Sequence, residues 1–270
     1  MFRYTELPSE APLALPQDNI VSNGEVGKIE FKSVNLRYNQ EEAVYALRDI
    51  TLSIRSGEKV GVVGRTGAGK SSLLQALFRM TEPDGDILID GVLTREMGLH
   101  YLRRSISIIP QESLLFSDTL RKNLDPFSEF EDEEIWGALK KVEMESYVYG
   151  QTDGLQLVVT EAGSNLSAGQ KQLICLARAL LRNTQVLVVD EATANVDQKT
   201  DMLIQRTLRK EFPHCTILTI AHRIHTILDS VRVLVMDVGK VAEFDRPEIL
   251  LENPDGLFYK LALANGLTRE

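Results

Sequence analysis

The chain has 270 residues, 43% apolar and 26% charged, enough for one large or two small globular domains and too core-rich for a disordered chain or a disulfide-stapled miniprotein. Lys and Arg number 30 against 39 Asp and Glu, a formal net charge of −9, which argues against a protein that coats nucleic acid but leaves room for one local basic pocket. Cys175 and Cys215 have no paired spacing, so no zinc cluster is expected and a reducing compartment is the simpler reading. No apolar run approaches the ~18 residues of a membrane-spanning helix, and no secretion signal is visible. The expected class is a soluble, intracellular, globular protein.

Residues 1–27 read as a linker arm. They hold Pro8, Pro12 and Pro16, end in SNGEVG and show no sustained period, so an extended arm is expected. From Lys28 the pattern changes. KIEFKSVNLRY sets Ile29 and Phe31, then Val34 and Leu36, in the alternation of a half-buried strand. ITLSI (50–54) does the same, and SGE turns the chain into the apolar run KVGVVG. A helix is predicted over Ser71–Met80, with Leu73, Leu74, Leu77 and Phe78 on one face. Further strand-like runs are DILID, SISII, QVLVVD, TILTIAH and VRVLVMD. Helix patterns appear in DEEIWGALKKV, SAGQKQLICLARALL, PEILLE and GLFYKLALA. Alternating buried strands and helices point to an α/β core with a mostly parallel sheet. The stretch from Gln111 is richer in helix and loop and reads as an inserted helical subdomain over about 111–183. The globular unit is expected over 28–264, with a short tail at 265–270.

Three motifs carry chemistry. GRTGAGKSS (64–72) fits G-x-x-x-x-G-K-[ST] through Gly64, Gly69, Lys70 and Ser71, and stands between a buried strand and a helix. Its backbone, through Arg65, Thr66, Gly67 and Ala68, would curl its N–H groups toward a phosphate at the helix's positive dipole end. Lys70 would reach the β- and γ-phosphates, and Ser71, next to Ser72, would offer its hydroxyl to Mg²⁺. The bland alternative is a glycine turn that only caps a helix. QVLVVDE (185–191) is a buried run ending in two carboxylates. Asp190 would stand beside the Mg²⁺ shell, and Glu191 would orient or deprotonate an attacking water. The competing reading is a strand ending at solvent, where acids are common. NLSAGQ (165–170) opens a strong helix on Ser167, a good N-cap. That segment could present N–H groups to an anion or be an ordinary capped helix. Cys175 and Trp136 read as packing residues.

The order GRTGAGKSS, Gln111, NLSAGQ, VLVVDE, ANVD, His222 resembles the nucleotide-binding domain of ATP-binding-cassette transporters over residues 28 to about 262. KVGVVGRTGAGKSSLL, GLHYLRRSISIIPQE, RKNLDPF, QLICLARALLR, DEATANVD and LTIAHR are similar to the multidrug-resistance-associated subfamily, and DEAT to its second domain. EAGSN, DEATANVD and FPHCTILTIAHR are most similar to its short, four-type organic-anion exporters.

The resemblance implies an α/β phosphate-loop NTPase core, an antiparallel β subdomain near the N-terminus and a helical subdomain. It implies an ATPase using ATP and Mg²⁺. It assigns Tyr38 to stacking on adenine, against the alternative of a core tyrosine, and Gln111 to Mg²⁺ and the attacking water, against a solvated loop glutamine. Leu166, Ser167, Ala168, Gly169 and Gln170 match the signature motif that closes over a partner's ATP, with Ala168 in place of the commoner glycine. Asp197 matches the loop crossing the dimer interface, and His222 the switch histidine at the γ-phosphate. The implied partners are a second nucleotide-binding domain in a head-to-tail sandwich and transmembrane domains of the same transporter. Neither nucleic acid nor direct membrane insertion is expected, and the place is the cytoplasmic face of a membrane, the plasma membrane by resemblance. Two other classes fit parts of the pattern: a nucleotide-gated regulator of a channel, and a soluble cassette ATPase acting on DNA or ribosomes. Only 97 residues separate Lys70 from Ser167, too few for the long coiled coil of the DNA-repair type.

Overall fold

Strands that are apolar on both faces need cover on both faces, and that requirement organises the molecule. The computed structural model describes residues 9–18, 26–39, 44–192, 196–221 and 224–266. The chain runs through β1 (Ile29–Leu36), β2 (Leu47–Ile54), β3 (Lys59–Val63), α1 (Lys70–Leu77), β4 (Asp84–Ile89), β5 (Val92–Leu93), α2 (Leu99–Ser105) and β6 (Ile106–Ile109). Then come α3 (Leu120–Leu124), α4 (Asp132–Lys141), α5 (Glu145–Tyr149), α6 (Ala168–Arg182) and β7 (Val186–Asp190). The last elements are α7 (Gln198–Glu211), β8 (Thr216–Ile220), β9 (Arg232–Asp237), β10 (Lys240–Asp245), α8 (Pro247–Glu252) and α9 (Leu257–Ala264).

The larger sheet has the order β10-β9-β3-β8-β7-β6, parallel throughout except for the β9–β10 hairpin. Its side chains alternate between two cores, as the period of a strand demands. Leu187, Val189 and Ile217 join α3 to α7 on one face; Val186, Val188, Leu218 and Ile220 join α1 and the small sheet on the other. On β9, Leu234 and Met236 point to α1, while Val233 and Val235 meet Phe258 of α9. The fold class is therefore α/β with a mostly parallel sheet, as the sequence predicts. The helical segment shares its core with one face of that sheet through α6 and α7. Within it, Trp136 stacks on Tyr149 at 4.1 Å between centroids.

The small sheet is antiparallel, in the order β2-β1-β4-β5. A bulge between Phe31 and Val34 shifts the register of β1 against β2. The extra residue resets the alternation, so Ile29, Phe31, Val34 and Leu36 are all buried in one core with α1. Two contacts fasten this sheet to the larger one. Glu58, at the β2–β3 turn, accepts from Arg232 Nε and Nη2 at 2.5 and 2.7 Å, and Arg232 also donates to the Ser53 carbonyl at 2.9 Å. Thr216, fully buried at the start of β8, donates to Gly27 O at 2.6 Å and accepts from Gly57 N at 2.9 Å.

Residues 9–18 form no helix or strand and lie on the N-terminus of α2. Leu99 N and His100 N donate to the carbonyls of Pro12 and Leu13 at 3.1 and 2.9 Å. The Asp18 carboxylate accepts from Gly98 N at 2.7 Å. Gly98 is the N-cap of α2 and has no side chain to satisfy these first amides, so the arm supplies the acceptors. A Cβ on Gly98 would stand 2.4 Å from Asp18 Oδ2, so only a bare Cα admits the arm this closely. Arg103 then joins Glu10 at 2.6 Å to the carbonyls of Phe78 and Arg79 just beyond α1.

The Glu58–Arg232 contact makes stability depend on acid. Burial raises the Glu58 pKa, but the hydrogen bonds from Arg232 and the Arg55 amide outweigh it and hold the carboxyl below its ordinary value. A depressed folded pKa contributes stability that is complete above the unfolded value of about 4.3 and is lost as pH falls through the folded pKa. Glu58→Gln should cost about 2–3 kcal/mol at pH 7, below the ~3–5 of a fully buried pair because Arg232 is partly exposed. Urea melts at pH 7 and pH 3 check this: the gap between variant and wild type should shrink in acid, and a gap independent of pH would contradict the assignment.

Candidate active site

The carboxyl ends of β3, β7 and β6 lie along one edge of the parallel sheet, where ligands of such sheets bind. β3 ends at Val63 and the chain curls back to start α1 at Lys70. Gly64 adopts φ +154°, and a Cβ there would meet the Met236 carbonyl at 2.4 Å. Gly69, the N-cap of α1, adopts φ +105° and packs against the backbone of Ala46 and Gly239. Both positions need glycine for conformation and for space. The loop is braced from behind: Gly239 N donates to Ala68 O at 3.0 Å, and Gly239 O accepts from Arg48 N at 2.8 Å. Arg65, Thr66 and Gly67 at its crest are exposed.

Lys70 is only 7% exposed. Its ammonium donates to the carbonyls of Gly64 at 2.8 Å and Arg65 at 3.3 Å. Burial lowers its pKa, and the nearby carboxylates of Glu191 and Asp190 partly restore it. Those two acids come from the end of β7 and the residue beyond, some 120 positions away in sequence. Glu191 takes a left-handed backbone, φ +46°, while its N–H still donates to Ile220 O at 3.0 Å. A non-glycine residue held there stores strain of about 1 kcal/mol or more, of the kind that concentrates at functional turns.

Tyr38, at the end of the segment after β1, reaches the same cluster: its hydroxyl is 2.9 Å from Ser72 Oγ. Tyr38 is 60% exposed, so it is not a core tyrosine, and it lies beside α1 where its hydroxyl meets Ser72. Ser71 is exposed on the first turn of α1. β6 pairs in parallel with β7 up to Ile109 opposite Val189. Gln111, exposed two residues further, therefore leaves the sheet next to Asp190 and Glu191. The Ser71 hydroxyl, the Asp190 carboxylate and the Gln111 amide are hard oxygen donors, the kind Mg²⁺ takes. Among the described residues no group of three or more His, Cys, Asp or Glu side chains gathers around a metal position. A Mg²⁺ ion here would depend on substrate phosphate oxygens for much of its shell, as it does in other phosphate-loop sites.

The signature residues form a second cluster. Ser167 caps α6, accepting from Gln170 N at 3.1 Å while Gln170 Oε1 accepts from Ser167 N at 2.8 Å. Leu166 is buried, and Ser167 and Ala168 are exposed. Ala168 is the first helical residue, where alanine has a high helix propensity. Gly169 lies against α7: a Cβ there would be 2.9 Å from Thr200 Oγ1. Asp197 caps α7, accepting from the Thr200 amide at 3.1 Å and hydroxyl at 2.7 Å. The two helix starts thus pack closely at Thr200. His222 and residues 193–195, the TAN of DEATANVD, lie outside the described residues.

Several supporting residues escape a reading of the sequence: Gly239 and Met236 behind the loop, Thr200 between the caps, and Gln172 beneath Gln111. A groove of about 970 Å³ runs along α7 past Glu143, Met202, Arg206 and Asp229, away from the phosphate loop. The crest of the phosphate loop, from Arg65 to Gly67, faces solvent, while Ala68 and Lys70 behind it are buried.

The ABC transporter family profile matches residues 47–194. The chain is 51% identical over 261 residues to human "ATP-binding cassette sub-family C member 4", covering 97% of this chain and 20% of that protein. It is 52% identical over 265 residues to human "ATP-binding cassette sub-family C member 2", covering 98% and 17%. The chain thus spans about a fifth of the length of the curated relatives it matches. Among solved structures, a bacterial Atm1-family ABC exporter with ATP bound superposes with a TM-score of 0.88 at 32% identity, over 99% of this chain and 47% of that one. The chain belongs to the ABC transporter family, and the two human relatives it matches are members of sub-family C.

Proposed function

We propose that this domain is the second, C-terminal motor of an exporter of organic anions, working at the cytoplasmic face of the plasma membrane. The observation that carries the catalytic part is the buried Lys70 ammonium between the phosphate loop and the carboxylates of Asp190 and Glu191. Lys70 and the loop amides take the charge of the β- and γ-phosphates. Tyr38 offers its open face to adenine. Ser71, Asp190 and Gln111 hold Mg²⁺, which when bound neutralises phosphate charge as it builds in the transition state. Glu191 accepts the proton of the attacking water, and His222 steadies the γ-phosphate. Position and preorganised charge supply most of the rate.

The open side of the loop supports a second domain as the missing wall. In a head-to-tail pair, the partner's signature motif would cover the ATP held by Lys70. Ser167, Ala168 and Gly169 here would cover the partner's ATP, with Asp197 crossing between the two. Transmembrane domains belong on the face around the segment after Gln111, where Leu114 and Phe116 are 69% and 63% exposed. Among the described residues no helix is long and apolar enough to cross a membrane, so those spans lie in another part of the assembly.

The half-open site should bind MgATP weakly in the 270-residue chain, with Kd about 100 μM, or −5.5 kcal/mol; isothermal titration giving nanomolar affinity would contradict it. Lys70→Ala should abolish detectable ATP binding. Tyr38→Ala should weaken affinity about tenfold or more with less effect on maximal rate, since it removes a stacking face worth ~1–3 kcal/mol and no phosphate contact. Unchanged affinity in Tyr38→Ala would remove Tyr38 from the site. Glu191→Gln keeps the size and hydrogen bonding of the acid but not the base. In the full-length protein it should bind ATP, stay closed and hydrolyse at least about 100-fold more slowly, roughly 3 kcal/mol of barrier. Near-normal turnover in that variant would move the base elsewhere.

A further inference from the structure

The pairing that carries β6 along β7 ends at Ile109, and Pro110, which has no N–H, comes next. Beyond that point the sheet no longer fixes where the chain goes, yet Gln111 comes next. What holds it is Gln172, on the second turn of α6. Gln172 is 4% exposed. Its Nε2 donates to the carbonyls of both Pro110 and Gln111, each at 3.0 Å. Its Oε1 is buried with no hydrogen-bond partner. An unmet buried acceptor is a cost that leucine or methionine would not incur. This residue is therefore poorly chosen for packing and well chosen for gripping two main-chain carbonyls.

The grip extends along the helix. One turn on, Cys175 faces the Ser113 hydroxyl. One turn further, Arg178 donates to Leu114 O at 2.7 Å and to Asn123 O and Oδ1 at 2.5 and 3.0 Å. Asn123 in turn brackets Phe116 by its amide and carbonyl, both at 2.9 Å. Positions 172, 175 and 178 lie on one stripe of α6. They hold the segment 110–123 mainly by its backbone, which leaves the Gln111 side chain outside the grip.

We infer that Gln172 is a positioning residue for hydrolysis: it sets where Gln111 stands, and it ties that position to the helix that Ser167 opens. The inference rests on the reading of Gln111 as a contact of Mg²⁺ and water. The experiment uses Gln172→Met and Gln172→Glu in the 270-residue chain, alone and combined with Gln111→Ala. Amide hydrogen exchange of Glu112–Leu115 in the nucleotide-free chain should rise about tenfold in both variants. ATP affinity in EDTA should stay within about twofold, because the phosphate loop and Tyr38 are untouched. The Mg²⁺ concentration for half-maximal hydrolysis should rise, and kcat should fall, each by about tenfold, the scale of losing an outer support of a metal ligand. In the Gln111→Ala background, adding Gln172→Met should cause no further loss of rate.

Unchanged exchange and Mg²⁺ dependence would overturn the inference, as would a full additional loss on top of Gln111→Ala. Loss of metal-free ATP binding in both variants, with loss of helical circular dichroism, would make Gln172 a core residue and also overturn it. If Gln111→Ala alone hydrolyses at the wild-type rate, the reading of Gln111 falls, and the inference falls with it. That outcome is separate from one in which Gln111 matters and Gln172 does not.

Discussion

A buried ammonium needs a stated reason to stay charged, and Lys70 supplies the constraint around which the site is arranged. Its neighbours are the carbonyls of the loop it closes and two carboxylates from a strand far along the chain. Those requirements reach well beyond the loop. Gly64 must lie flat against Met236, so β9 must sit beside β3. The β9–β10 turn must bring Gly239 under Ala68, and β2 must start where Gly239 can accept from Arg48. The parallel register of β7 and β8 sets Asp190 opposite Ile220 and leaves Glu191 just past the edge. Slipping β7 by one residue would turn Asp190 away from the ammonium.

The two cores on either side of the large sheet divide the work. The face with α1 carries the small antiparallel sheet and holds the phosphate loop and Tyr38. The face with α6 and α7 carries the signature cluster and the segment after Gln111. The sheet lies between them, and Gln111 emerges from its edge into the grip of α6. The residues that would bind this domain's own ATP and those that would cover a partner's are therefore joined through one short stretch of main chain. Buried apolar side chains line both faces, so this junction rests on packing as well as on hydrogen bonds.

The core was legible in the sequence because buried parallel strands read as unbroken apolar runs: KVGVV, VLVVD and RVLVMD are all strands of the large sheet. The elements without a signal are those with little to bury. α7 has only Ile204, Thr207 and Leu208 buried, and its polar sequence hides a fourteen-residue helix. β10, KVAEFD, is an edge strand with no fully buried residue. β5 is two residues long. The same logic separates the site residues. The phosphate loop and the acids after β7 are local strings whose spacing is itself the chemistry. Gln172 and Gln111 are 61 positions apart, Arg178 and Asn123 are 55 apart, and Gly239 lies still further from Ala68. No local pattern marks such pairs, because one partner in each is held at least partly through a backbone group that any residue type would offer.

The arm on α2 bears on where this domain physically starts. By pattern the unit begins at Lys28, where alternation sets in. By donor and acceptor accounting it begins earlier, because the amides of Gly98, Leu99 and His100 find their acceptors at Asp18, Pro12 and Leu13. Cutting the chain at Lys28 would strip three acceptors from the head of α2, undo the Glu10–Arg103 link behind α1, and expose the notch at Gly98. A fragment designed from the strand pattern would thus carry a frayed helix one strand away from Gln111, and its catalytic behaviour would report the cut as much as the enzyme.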